Sequence, residues 1–132
     1  MAEPTENDVY VDVLLEDGLL FFVICNDGAS PAKRVRITFD RPVIGADGLD
    51  VTQLGAFSHL DFLAPGKRIR VPIDRSNSYF ARRQKSRITM KLAWRAGGAS
   101  LSTSLTHDMR LYADLPAIVH RPDTFRIDRT SP

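Results

Sequence analysis

Apolar residues fall on alternate positions early in the chain: Val11, Val13 and Leu15, then Leu20, Phe22 and Ile24. Successive side chains of a strand point to opposite faces, so this spacing predicts two strands, each with one face toward a core. Between them lies Asp17-Gly18. Both central residues of a type I′ turn need positive φ, which this dipeptide accepts, so the pair predicts a two-residue hairpin. Such a turn sets the register, with Leu15 opposite Leu20, Val13 opposite Phe22 and Val11 opposite Ile24.

The alternation returns four more times. Val35, Ile37 and Phe39 alternate with Arg34, Arg36 and Thr38; Ile69, Val71 and Ile73 alternate with Arg68, Arg70 and Pro72. Ile88, Met90, Leu92 and Trp94 mark the most regular strand, and Leu101, Thr103 and Leu105 the one after it. Turn chemistry separates them. Asn26 and Asp27 can bond nearby backbone, Gly28 offers unusual dihedrals and Pro31 stiffens the exit, while Pro65-Gly66 and Gly97-Gly98 mark later turns. Pro72 has no amide donor, which predicts an edge position or a bulge. "RSNSYFARRQK" reads as a helical turn or loop crossing between sheets. Val51–Phe57 carries a weaker pattern that predicts one further edge strand. With no long helical period, the chain predicts an antiparallel immunoglobulin-like β-sandwich of about seven strands. Residues 1–7 read as a disordered lead, 8–112 as the sandwich and 113–132 as a tail that could pack on it.

The stretches "NDGASPAKRVRITFD" and "LAPGKRIRVPI", followed by a Trp-bearing strand and hairpin, resemble the bacterial immunoglobulin-like domains of the CARDB group. The shared features are an Asn-x-Gly turn, an Ala opening the next strand and a Pro-Gly turn before a later one, over about Val9 to Leu111. The resemblance implies a binding or spacer module within a larger assembly and brings no catalytic residues with it. The family's adhesive, extracellular setting is not expected here, because "MAEPTEND" is acidic and polar, unlike a secretory signal.

Composition narrows the classes. A formal charge of +2 over 132 residues does not announce a nucleic-acid or membrane partner. The longest apolar run, Gly18–Cys25, is too short to span a bilayer, so no membrane insertion is expected. Cys25 is the single cysteine, which excludes an intrachain disulfide and a thiolate zinc site, and predicts a cytoplasmic location and no cofactor. Packed as a small hydrophobe, it has no redox role. Candidate chemistry is thin. His107 and Asp108 are adjacent, so a continuing strand points them to opposite faces, and no nucleophile elbow accompanies them. His59 and Asp61, with His107 or His120, match no recognised metal-ligand spacing. "GADGLD" (45–50) lacks the acidic density of a calcium loop. The expectation is no enzymatic activity, no catalytic residue and no metal.

Two surfaces remain. The hairpin register puts Tyr10, Leu14, Leu19, Phe21, Val23 and Cys25 opposite the core, with only Asp12 and Glu16 as charges. A solvated face is normally more polar, so something covers this one. The cover is either "LPAIV" (Leu115–Val119), assisted by the stems of Arg68 and Arg70, or a protein partner or second copy. The other surface is basic: Arg34, Arg36, Arg87, Lys91 and Arg95 face outward on two neighbouring strands, with Arg82 and Arg83 at one end. It could hold nucleic acid or an acidic partner. Without interleaved aromatics, nucleic acid is the less favoured ligand, and the plainer reading is a solvated face that guards the sheet against edge pairing. The leading expectation is a protein-interaction or structural module.

Overall fold

The first hairpin closes on Asp17 and Gly18, with φ of +52° and +77°, in a computed structural model that describes residues 3–115. Strands β1 (Val9–Glu16) and β2 (Leu19–Asn26) pair in the register that such a turn dictates, Leu15 against Leu20, Val13 against Phe22 and Val11 against Ile24. Five further strands follow: β3 (Ala32–Phe39), β4 (Leu60–Leu63), β5 (Arg68–Arg75), β6 (Arg87–Ala96) and β7 (Ala99–Asp108). They form two antiparallel sheets, ordered β1-β2-β5 and β4-β3-β6-β7. The chain changes sheet after β2, β4 and β5, the last time through the short helix α2 (Ser76–Ala81). The result is the immunoglobulin-like sandwich that the alternation implies.

The inner faces meet in a core of Val11, Val13, Leu20, Phe22, Ile37, Ile88, Met90, Leu92 and Trp94. Phe22 and Phe57, both fully buried, cluster with the half-buried Phe39, with ring centroids 4.9 to 6.1 Å apart. Burying each large apolar side chain contributes about 1.5–3 kcal/mol, and these clustered rings bring both sheets into one core.

The Asn26 side chain bonds the nearby backbone, as its residues predict, and adds a tie between the sheets. The buried Asn26 amide donates to Ser30 O and to Leu63 O, both at 3.0 Å, and its Oδ1 accepts from Gly28 N at 3.0 Å. Its backbone N–H donates to Lys67 O and its carbonyl accepts from Gly66 N. One side chain therefore joins the end of β2 to the end of β4, across the two sheets. Gly28 does not have left-handed dihedrals; its lack of a Cβ leaves room for the Asp8 carboxyl, which would stand 2.6 Å from one.

Two strand expectations need correction. Val51–Phe57 is not a strand. The Asp50 carboxylate accepts from Thr52 N, closing a 3-10 turn at Val51–Gln53, and α1 (Gly55–Ser58) then drops Phe57 fully into the core. The edge strand is β4 instead. In β3 the alternation breaks at Arg34, whose φ is +52°: a bulge between Lys33 and Arg36 turns both Ala32 and Val35 inward. Ahead of β1, Thr5 donates to Asp8 from its amide at 3.0 Å and its hydroxyl at 3.1 Å. Pro72 meets both halves of its expectation, on the edge strand β5 and beside a register shift against β2.

Candidate interaction surfaces

On the outer face of the three-stranded sheet, cross-strand pairing lines residues up in rows. Tyr10, Cys25 and Arg68 form one, then Asp12, Val23 and Arg70, then Leu14, Phe21 and Pro72, and last Glu16, Leu19 and Arg75. Arginines from the edge strand lie over the first half of this apolar surface. Arg68 reaches Cys25 Sγ at 2.8 Å and the Asp27 carboxylate at 2.9 Å, where the Tyr10 hydroxyl also donates at 2.6 Å. Arg70 places its guanidinium 5.6 Å from the Phe21 ring and pairs with Glu16. Val23 and Cys25 are thus buried beneath the chain's own polar side chains. Burial pushes the Cys25 thiol up against the opposing pull of Arg68, and the bond to Asp27 raises the Tyr10 hydroxyl.

That cover stops short of the hairpin end. Leu14 and Phe21 are half-buried, Pro72 is exposed and Leu19 is 41% exposed. From Leu19 and Pro72 the surface runs into an apolar cleft floored by Leu20, Val51, Leu54 and Ile73, with Leu49, 50% exposed, on the opposite lip. Asp47 and Arg75 supply its polar rim. The segment expected to cover the face starts at the exposed Leu115, and residues 116–119 lie outside the described residues.

The outer face of the four-stranded sheet is unlike it. Pairing places Lys33 beside Arg95, Arg36 beside Ala93 and Thr38 beside Lys91, so Arg36, Lys91 and Arg95 do share one face. Arg34 stands exposed on the bulge. Arg87 lies at the far end, opposite Asp108. Arg82 is not with them: at the end of α2 it is ion-paired with the buried Asp74 of β5, and Arg83 follows it at φ +55°. The basic patch is therefore a set of sheet residues and a separate pair at the crossover. Arg36 is bound to Asp61 at 3.0 Å, and Arg95 donates to Ser100 Oγ at 2.9 Å. One aromatic went unforeseen. Phe62 of β4, 56% exposed, lies opposite Lys33, and only the position of β4 reveals it.

The topology also removes the edge-guarding role. β3 and β6 are interior strands, whereas the edges of this sheet are β4 and β7, and β7 carries no lysine, arginine or acid between Ala99 and His107. The remaining polar candidates have local partners. His107 Nε2 donates to Val11 O at 2.6 Å, while Asp108 turns the other way and binds Arg110. The Arg110 guanidinium holds the Asp108 carboxyl down at about 2. His59 Nδ1 meets Ser58 Oγ at 2.8 Å. Among the described residues no group of three or more His, Cys, Asp or Glu is placed to hold a metal, and His120 lies outside them. No helix among them is long and apolar enough to cross a membrane.

A family model described as a domain of unknown function, DUF8453, matches residues 2–113. The chain belongs to the DUF8453 family. Among curated proteins and among solved structures, no match was found. The DUF8453 match takes in all seven strands and the 3-10 turn at Met109–Tyr112.

Proposed function

We propose that this DUF8453 domain is a non-enzymatic protein-interaction module that works through the hairpin end of its three-stranded sheet. The observation that carries the reading is the apolar strip of Leu14, Leu19 and Pro72, left open among the described residues beyond the Arg70 lid on Phe21 and continuous with the cleft lipped by Leu49. Arg68 and Arg70 cover the rest of the face, so the strip is a bounded patch with a polar rim, the anatomy of a protein contact. The resemblance to CARDB-like modules supports the same use, and a reducing, cytoplasmic setting suits a single buried cysteine. Leu49→Asp and Leu19→Asp test it in affinity purification from the source cell. A protein retained by the wild type should be lost with both variants while their melting temperatures stay near wild type. An identical set of retained proteins in all three would overturn the reading.

A second reading, an acidic partner on the four-stranded face, is favoured by one observation. Lys33, Arg36, Lys91 and Arg95 cluster where, among the described residues, Asp61 is the one carboxylate paired into the group. Binding there should fall steeply with salt and weaken in Lys91→Glu/Arg95→Glu. Mixed-sequence DNA or RNA is expected not to bind at physiological salt.

A further inference from the structure

A β-sandwich has four sheet edges, and each exposes backbone donors and acceptors unless something manages it. Three are managed here. β4 is only four residues long. β5 contains Pro72 and a register shift, and the 45–49 loop presses on it so closely that a Cβ at Gly45 would stand 2.1 Å from Ile73 O. β1 is clasped: the carbonyls of Val11 and Val13 accept from His107 Nε2 at 2.6 Å and the Tyr112 hydroxyl at 3.5 Å. β7 has none of these devices. It runs ten residues in unbroken register with β6, with no proline, bulge or charge before Asp108. Among the described residues, no backbone group of another element bonds to its far side.

The turn shows which groups that edge offers. Gly97 and Gly98, at φ +56° and +80°, form a two-residue hairpin whose flanking pair, Ala96 and Ala99, exchanges both ladder bonds. Counting from there, Leu101, Thr103 and Leu105 bond to β6, and the N–H and C=O groups of Ser100, Ser102, Ser104 and Thr106 point outward. The same count from Asp17-Gly18 assigns the free edge of β1 to Val11 and Val13, the residues whose carbonyls are seen to be taken up.

We infer that β7 is a self-pairing edge that docks antiparallel on β7 of a second copy, about a two-fold axis at Thr103. The segment Ser100-Leu101-Ser102-Thr103-Ser104-Leu105-Thr106 is a palindrome in chemical type, so antiparallel self-pairing sets each residue opposite its own kind. The axis sets Ser102 opposite Ser104 of the second copy, Ser100 opposite Thr106, and Thr103 opposite itself. Leu101 meets Leu105 on the inner side, where both are half-exposed in one copy. Hydroxyl pairs and aliphatic pairs are both favourable across strands. The cations do not oppose it. Lys91 and Arg95 sit on β6, one strand back, so the two sets are about 14 Å apart at the usual strand spacing, beyond the screening length of about 8 Å. The two four-stranded sheets become one continuous sheet, and the apolar cleft remains free on the other sheet.

Sedimentation velocity over a concentration series tests the full chain against four variants. The wild type should form a dimer. Ser102→Lys/Ser104→Lys puts like charges opposite one another on the solvent face and should abolish the dimer with the far-UV circular dichroism of the fold kept, while the contact of position 104 with Lys91 lowers the melting temperature modestly. Ser104→Pro, which deletes an amide unused by the single copy, should also abolish it. Leu49→Asp should leave it intact. Amide exchange at Ser100, Ser102, Ser104 and Thr106 should be slow in the dimer and fast in the lysine variant. A wild type that stays monomeric at every concentration would overturn the inference, as would a dimer indifferent to the lysine pair. The fourth variant, truncated after Leu115, asks whether the chain's own C-terminal segment occupies the edge. A monomer that dimerises only on truncation would assign β7 to that segment and likewise overturn it.

Discussion

Arg70 and Arg95 hold comparable places on the two sheets, each on an outer face with its guanidinium at the surface, yet they meet different neighbours. Arg70 projects from an edge strand toward an apolar one, and its side chain passes over Phe21 to Glu16. Arg95 projects from an interior strand among polar residues and finds Ser100 Oγ. The same residue type is a lid in one sheet and a solvated charge in the other. The strand beside it makes the difference: β2 presents Leu19, Phe21, Val23 and Cys25 outward, whereas β7 presents serines and Thr106. A long cationic side chain gains by lying flat only where there is apolar area beneath it.

The two faces share one core, and the largest effects are expected there. Phe22→Ala from the three-stranded sheet and Trp94→Ala from the four-stranded sheet should each cost about 3–5 kcal/mol in denaturant unfolding. A loss from one and not the other would mean that the sheets do not depend on a common interior. Next is the tie between them. Asn26→Ala leaves Leu63 O and Ser30 O without their buried donor and should cost about 1–3 kcal/mol, read from the denaturant midpoint. The arginines then sharpen the comparison itself. Arg70→Ala should lose about 0.5–1 kcal/mol with the ring contact, while Arg95→Ala should stay within about 0.5 kcal/mol of wild type. Equal losses would show that the lid and the solvated charge are energetically alike.

The smallest effect is at the end of β7. Arg110 depresses the Asp108 pKa to about 2, below the ordinary carboxylate range. A depressed folded-state pKa stabilises the protein above the unfolded-state value, and the contribution fades as pH falls toward about 2. Wild type should therefore melt slightly above Asp108→Asn at neutral pH, with the gap closing through the acid range. A gap that widens with acid would reverse the assigned sign.

Much of the sandwich was legible in the chain because strand periodicity and two-residue turns are local. Asp17-Gly18 dictated a register that the outward set Tyr10, Leu14, Leu19, Phe21, Val23 and Cys25 follows residue by residue. The misreadings share a different origin. Val51–Phe57 carries only a weak strand pattern, and the Asp50 carboxylate captures Thr52 N and folds the segment into turns. Arg34 looks like part of a run of alternating arginines, but the pairing of β3 with β6 requires one extra residue there.

The candidate surfaces divide along the same line. That the first hairpin has an apolar outer side follows from the sequence alone, since turn type and period two leave no freedom in which side each residue takes. What covers that side was decided in three dimensions, because Arg68 and Arg70 reach it only once β5 pairs with β2, some fifty residues away in the chain. The basic patch was likewise divided by topology, which keeps Arg36, Lys91 and Arg95 together and sends Arg82 to Asp74. The open edge of β7 is the clearest instance: its palindrome is written in seven consecutive residues, but that it lies at an edge depends on the order of strands in the sheet. Local chemistry sets which face a residue takes, and only long-range pairing sets what that face meets.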